Sequence, residues 1–416
     1  MKREDISDAM AHIGDDLLEE ADAVRGTGDM RRNHWKGWAA LAACAGVVLF
    51  GAIRWGGGPA EPVPTPPAET TAPPETTAPA ETALPTAPAE TASPTDTPVP
   101  TVDGLPMLTI DLGEMGMGFE GYMAYDISEL VNGNPWTEEA GLTTLPVYAN
   151  PLELDEYGMP VGDRTAMEAA LREAAGRLGL EGAEIGETDW GALTIQGEGF
   201  TLDVTVTLPV TLEFEPPRTL PEGYDFGYHA PYDTMEAAGE YLMETYGSLL
   251  DMEAPTLSLW GGDYNIYREQ GYQIEVYEGA GDLTDQLVGY HFRRVAFYPN
   301  EEGLLWMIRF YQADLSQKLG DYPIITAEEA ETLLGEGHYI TSAPYALPGL
   351  EYVEKVELVY RNGALEGCWM PYYRFYVRLP ELAEEDGLQT FGAYYVPAVE
   401  GRFLTNLPVW DGSFNT

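Results

Sequence analysis

The sequence predicts an α+β protein, in which an extracytoplasmic domain of helices packed on antiparallel sheets is held by one transmembrane helix and a disordered stalk. Three observations carry this expectation. Residues Gly37 to Ile53 include no charged side chain, a Pro/Thr/Ala/Glu tract follows to about Val102, and from Asp103 onward capped helical stretches alternate with strands. The expected boundaries are 1–36 for a cytosolic amphipathic segment, 37–54 for the transmembrane helix, 55–102 for a disordered linker, and 103–220, 221–320 and 321–416 for three α+β subdomains.

The first segment carries Ile6, Met10, Ile13, Leu17, Ala21 and Val24 at spacings of three and four, one apolar stripe on a helix otherwise covered by Asp and Glu. So short a segment cannot bury that stripe against itself. It predicts a partner groove, a second copy, or marginal order when alone.

The next run, Trp38 to Ile53, is apolar on every helical face and sits at the short end of what crosses a bilayer, roughly 17 to 25 residues. Trp35, Trp38 and Trp55 bracket it at headgroup level, and Lys36 and Arg54 can snorkel outwards. Arg25, Arg31, Arg32 and Lys36 precede it against Arg54 alone soon after, which places the N-terminus in the cytosol and the C-terminal domain outside the cell membrane. A cleaved signal peptide would have a shorter leader. Leu41-Ala-Ala-Cys44 matches a lipobox, but apolar residues continue well beyond Cys44.

Ile13-Gly-Asp-Asp-Leu-Leu-Glu-Glu-Ala21, followed by Trp35-Lys-Gly-Trp-Ala-Ala-Leu-Ala-Ala-Cys44, resembles the leader of clostridial membrane proteins, some related to anti-sigma factors. The resemblance implies a cytosolic regulatory partner, such as a sigma factor or a kinase. The zinc-binding His-x-x-x-Cys-x-x-Cys pattern of one anti-sigma class is absent, since His12 and His34 have no cysteine pair near them.

Beyond Trp55 the linker repeats units such as Ala68-Glu-Thr-Thr-Ala-Pro73 and offers few apolar side chains for a core. Polyproline-like chain rises ~3.1 Å per residue, so about 45 residues reach on the order of 100 Å.

In the outer domain, Thr165-Ala-Met-Glu168 opens a helix to about Leu178, Asp233-Thr-Met-Glu236 a second to about Tyr246, and Thr326-Ala-Glu-Glu329 a third through Leu334. Strands are expected at Phe200 to Phe214, at Tyr264 to Tyr277 with a turn near Gly271, and at His291 to Tyr311 split by Asn300-Glu-Glu-Gly303. A meander of Val353 to Tyr360, Tyr372 to Leu379 and Phe391 to Val396 closes the chain. A capped helix followed by strands thus recurs three times. This grammar, with Tyr372-Tyr-Arg-Phe-Tyr-Val377 and Ala393-Tyr-Tyr-Val-Pro-Ala-Val-Glu-Gly401, resembles the PepSY and YycH/YycI-like extracytoplasmic modules of Gram-positive bacteria. The likeness spans about residues 320–405, departs from the pattern at Pro397, and implies a regulatory or protein-binding role.

With 69 acidic against 21 basic residues the net charge is -48, which excludes phosphate backbones as partners, so no nucleic acid is expected. Cys44 and Cys368 are too separated by the expected topology to form a disulfide. No His-Glu-x-x-His, Gly-x-Ser-x-Gly, phosphate loop or Cys-x-x-Cys occurs, and no catalytic residue, metal ligand or cofactor is predicted. His229, His291 and His338 are scattered, Asp282 with Asp285 and Glu328 with Glu329 are acidic pairs of the kind that serve acid/base work or calcium, and Cys368 reads as a structural thiol. Tyr372, Tyr376, Tyr394 and Tyr395 are the candidate outer aromatic face, able to stack on a glycan or peptide. The leading expectation is a non-enzymatic cell-envelope regulator or sensor that binds an envelope protein or wall component. A wall-facing hydrolase with dispersed acidic residues and a structural display or adhesion protein are the alternatives.

Overall fold

The computed structural model describes residues 100–110, 119–155 and 159–412. These begin with a ribbon of β1 (Thr101–Val102) and β2 (Leu105–Pro106), then β3 (Gly121–Ala124), β4 (Thr144–Ala149) and a second ribbon of β5 (Glu153–Leu154) and β6 (Pro160–Val161). Helix α1 (Arg164–Arg177) leads into β7 (Gly186–Glu187), β8 (Leu193–Gly197), β9 (Phe200–Val204) and β10 (Val210–Arg218). Helix α2 (Tyr232–Thr245) and the single turn α3 (Gly247–Leu250) lead into β11 (Pro255–Tyr264) and β12 (Gln270–Glu278), then α4 (Leu283–Phe292), β13 (Arg293–Pro299) and β14 (Leu305–Gln312). The last part holds β15 (Lys318–Pro323), α5 (Ala327–Gly335), β16 (Ile340–Thr341), β17 (Val353–Arg361), β18 (Cys368–Arg378) and β19 (Gln389–Pro397).

Two antiparallel sheets organise these elements. The first has eight strands in the order β11-β12-β13-β14-β10-β9-β8-β7; the second runs β15-β4-β18-β19-β16, with β17 added to β18 and β3 to β19. The expected fold class is corrected on this point: the helices do not cap separate PepSY-like sheets, and strand dominates over helix. Strands β10 and β14, each the last of a meander, pair from Val210↔Phe310 to Glu213↔Met307, which satisfies two edges that would otherwise expose unpaired backbone. The final meander likewise recruits β3 and β4 from the beginning of the domain.

Alternation decides what each strand buries. On β12, Ile274 and Val276 join the core while Glu275 and Tyr277 turn to the opposite face. Helices α1 and α2 cover the core face, with Leu171, Ala175, Met235 and Leu242 packed over Leu202, Leu212, Ile274 and Ile308. The second sheet is covered on both faces. Ala330 and Leu334 of α5 pack with Tyr373, Phe375, Tyr394 and Val396 on one side. On the other, Leu108, Ile110, Phe403 and Leu404 close over Met370, Tyr372 and Tyr395.

That double cover corrects the outer aromatic face. Tyr372, Tyr376, Tyr394 and Tyr395 are only 1%, 4%, 0% and 6% exposed, so none of them presents a stacking surface to solvent. Period-two alternation implies one wet face only when the sheet has one, and this sheet has none there.

Helix α5 opens on its expected capping box, with Thr326 and Glu329 each accepting from the other's backbone N–H. Helix α1 is capped by Asp163 rather than Thr165, and α2 starts after Pro231 with no side-chain cap. Helix α4 replaces the start of an expected strand and places His291 in its last turn. Its cap is the acidic pair itself: the Asp285 N–H donates to Asp282 at 3.1 Å and the Asp282 N–H to Asp285 at 3.2 Å. Asp282→Ala is therefore expected to cost about 1 kcal/mol of stability in urea denaturation, while calorimetric titration with calcium chloride reads the same for both proteins. The β11–β12 hairpin turns at Asn265, whose side chain accepts from the Tyr267 and Glu269 N–H groups, rather than near Gly271.

Among the described residues no helix is long and apolar enough to cross a membrane. The longest, α1 and α2, have 14 residues each, and at 1.5 Å per residue they fall short of a hydrocarbon layer about 30 Å thick. This corrects the expectation of a single-pass cell-membrane protein for the part of the chain described. The expected span at 37–54, the linker at 55–102 except its last residues, and the stripe of Ile6, Met10, Ile13, Leu17, Ala21 and Val24 lie outside the described residues.

Candidate functional site

The cleft between the two sheets gathers most of the buried charge of the domain. Strand register builds its floor. Arg374, in the middle of β18, stands opposite Glu357 on β17 and opposite Tyr395 on β19, so all three share a face. Arg374 donates to Glu357 at 2.6 Å, and the same carboxylate receives Lys355 at 2.7 Å, Asn132 at 2.7 Å and the Tyr376 hydroxyl at 3.2 Å. Glu120, just before β3, accepts from the hydroxyls of Tyr122 and Tyr395 at 2.7 Å and lies 3.7 Å from Arg374.

The roof comes from the face of the eight-stranded sheet that α1 and α2 leave uncovered. Arg294 on β13 reaches diagonally to Glu275 on β12, holding both carboxylate oxygens at 2.9 and 3.0 Å, and its guanidinium lies 4.5 Å from the centre of the Tyr311 ring. Helix α4 delivers Tyr290 and His291, and the His291 carbonyl accepts from Asn362 across the cleft at 2.8 Å. Arg361, at the end of β17, pairs with Glu366 at 2.7 Å and stacks over Tyr372 and Tyr395.

Between floor and roof is a cavity of about 360 Å³ lined by all three arginines. Trp260 on β11 also lines it and remains 42% exposed, which places it at the mouth. Around the cavity four cations, Arg294, Arg361, Arg374 and Lys355, pair with four carboxylates, Glu120, Glu275, Glu357 and Glu366, of which Lys355, Glu120 and Glu357 stand behind the lining. The cluster as a whole is charge-balanced, and the lining itself carries three arginines against two glutamates, although the chain as a whole is at -48.

Three polar atoms in this wall are unmatched. His291 Nε2, Arg294 Nε and Arg374 Nε are sealed from solvent and have no hydrogen-bond partner among the described residues. A buried polar group without a partner costs about 1–3 kcal/mol, and three around one cavity mark a place where packing serves something besides stability. Burial first, then the neighbouring Arg294 and Arg374, push His291 down to about 3, so its ring is neutral, with one nitrogen donating and the other accepting. Burial alone would raise Glu357, but Arg374 and Lys355 overcome it and hold the carboxyl down at about 2. Burial raises the Tyr290 hydroxyl above its ordinary range.

The remaining residues singled out in the sequence fall elsewhere. His229 lies on the surface 3.5 Å from Glu269, and His338 shares a hydrogen bond of 3.0 Å with the Pro408 carbonyl. Burial pushes the Cys368 thiol up to about 12, which makes it a poor nucleophile. Among the described residues no group of three His, Cys, Asp or Glu side chains could hold a metal ion. Of the four tyrosines expected to share a face, Tyr376 and Tyr395 line the cavity, Tyr372 packs beneath Arg361, and Tyr394 points into the core on the α5 side.

The arginines and their carboxylates were absent from the sequence expectations. One signal was present: Arg374 interrupts Tyr372-Tyr-Arg-Phe-Tyr376, an aromatic strand in a chain with few basic residues. An arginine inside such a strand needs a buried partner. No family model matches the chain, and no curated protein matches it.

Proposed function

We propose that this domain is a non-enzymatic binding module of the regulator or sensor type, which captures a small polar molecule in the cleft between its two sheets. The observation that carries this reading is a cavity of about 360 Å³ between the sheets, lined by three arginines, Arg294, Arg361 and Arg374, together with Tyr290, His291, Tyr376 and Tyr395. Binding rather than turnover is favoured because the two carboxylates that line the cavity, Glu275 and Glu366, are each held by an arginine, so neither stands free to face a substrate as a hydrolase's pair does.

Screening the purified full chain against a library of metabolite-sized compounds by thermal denaturation tests the reading. A true ligand at a hundredfold excess over its Kd adds about 2.7 kcal/mol of stability, which raises Tm by several degrees. Trp260→Ala, at the exposed mouth, is expected to weaken that ligand about tenfold without unfolding the protein. A library in which nothing shifts Tm sinks the binding reading, and chemical conversion of the ligand on prolonged incubation would make the site an active site instead.

A further inference from the structure

The hydroxyls of the tyrosines that line the cavity show what the wall offers a guest. Four of the five point at groups behind the lining: Tyr122 and Tyr395 donate to Glu120, Tyr376 to Glu357, and Tyr360 to the Pro146 carbonyl. What these four leave to the cavity is ring, and Trp260 adds an indole at the mouth. Such surface suits a flat apolar body.

The fifth hydroxyl is different. Tyr290 is half-buried, and its oxygen has no hydrogen-bond partner among the described residues yet is not one of the sealed atoms. Burial keeps it protonated, so it stands ready to donate. Arg294 keeps a free donor too. Its Nη1 holds both oxygens of Glu275 and its Nε is sealed, but its Nη2 has no partner and is not sealed, and the side chain is 31% exposed. The Tyr290 hydroxyl and this guanidinium lie in one another's field, which puts the two free donors on the same side of the cavity. The acceptor that suits a guanidinium beside a hydroxyl is a carboxylate, because charge-assisted hydrogen bonds are roughly twice as strong as neutral ones.

The charge of the lining limits how many carboxylates the guest brings. Arg294, Arg361 and Arg374 exceed Glu275 and Glu366 by one positive charge. Behind them Glu120 and Glu357 exceed Lys355 by one, so a second negative charge on the guest has no cation left to meet. A volume of about 360 Å³ is near the small end of the roughly 300–1,000 Å³ of ligand sites, which limits the guest to one ring system and a short chain.

We propose that the cavity binds a small aromatic monocarboxylate, with its carboxylate against Arg294 Nη2 and the Tyr290 hydroxyl and its ring among the lining tyrosines. The assignment rests on the binding-module reading above and adds the ligand class to it.

Calorimetric titration of the purified full chain with benzoate, phenylacetate and indole-3-acetate, and with benzamide, acetate and sulfate beside them, separates the possibilities. The expected result is saturable 1:1 binding of at least one aromatic acid. Benzamide, which keeps the ring and loses the charge, is expected to bind at least about 100-fold more weakly, and acetate, which keeps the charge and loses the ring, about 30-fold more weakly. Sulfate is expected not to bind. Because these comparisons alter the ligand, they hold even if a variant fails to fold. Tyr290→Phe removes a hydroxyl that bonds nothing in the protein and keeps the ring that meets Tyr277 edge-on, so it is expected to leave Tm unchanged and to weaken the best acid about tenfold. Benzamide, acetate or sulfate binding as tightly as the aromatic acids, or an unchanged affinity in Tyr290→Phe, overturns the assignment and leaves the binding module standing. If neither these probes nor any member of the wider library binds, both readings fall together.

Discussion

Replacing Glu357 by alanine is expected to destabilise the domain by about 3–5 kcal/mol, because the substitution leaves Arg374 and Lys355 facing one another without their shared counter-ion. The loss includes the hydrogen bonds from Asn132 and Tyr376 to the same carboxylate. The pH dependence has a defined sign. In the folded protein this carboxyl is held at about 2, below its ordinary 4.5. Its contribution is therefore complete above pH 4.5 and is lost as the pH falls toward 2, by about 3 kcal/mol in all. Urea denaturation at pH 7, 4.5 and 2.5 checks both statements: the difference between the native protein and Glu357→Gln should shrink steadily over the two lower values. Equal midpoints for native protein and Glu357→Ala at pH 7 would remove the claim that this pair organises the cleft.

The second large effect is expected at Gly262, where the backbone has a φ of +89° and an added Cβ would meet the Glu129 carbonyl oxygen at 1.9 Å. Neither partner of that clash is the loose end of a side chain. The neighbouring Gly261 exchanges backbone hydrogen bonds with Val131 at 3.0 and 3.1 Å, so the segment that would have to move is the one that carries Asn132 to Glu357. Gly262→Ala is expected to cost about 2–4 kcal/mol, combining left-handed strain with overpacking. Gly387→Ala is the matched control, since Gly387 has a φ of +95° and open space where its Cβ would be. The control should lose only about 1 kcal/mol. Thermal denaturation of the two variants side by side decides it, and equal losses would show that the contact with Glu129 yields freely.

What could be read from the sequence was whatever is local. The Thr326 box and the strand from Val353 depend on residues within a few positions of one another, and both formed where their patterns ended. The Asp282 box escaped because an Asp–Asp pair also suits acid chemistry, and because His291 and Phe292 continue smoothly into the strand that follows. The candidate site escaped for a different reason. Its salt bridges join strand neighbours, Glu275 to Arg294 and Glu357 to Arg374, but the cavity exists only because one pair is turned toward the other across the gap between two sheets. Nothing in the spacing of those residues encodes that meeting. The tyrosines show the same limit from the other side: the expected outer face joined Tyr394 to Tyr395, although adjacent strand residues point to opposite faces, and both faces are covered, one of them by Leu108, Ile110 and Phe403, far away in the chain.

The seam between β10 and β14 has a consequence for how the molecule forms. It joins Val210 to Phe310, so a long loop must close before its hydrogen bonds return any stability. During synthesis the first meander emerges with β10 paired to β9 on one side and its other edge open, waiting for a strand not yet translated. In that interval the growing polypeptide is a template for neighbours of its own kind, and slow translation would lengthen the time it spends that way.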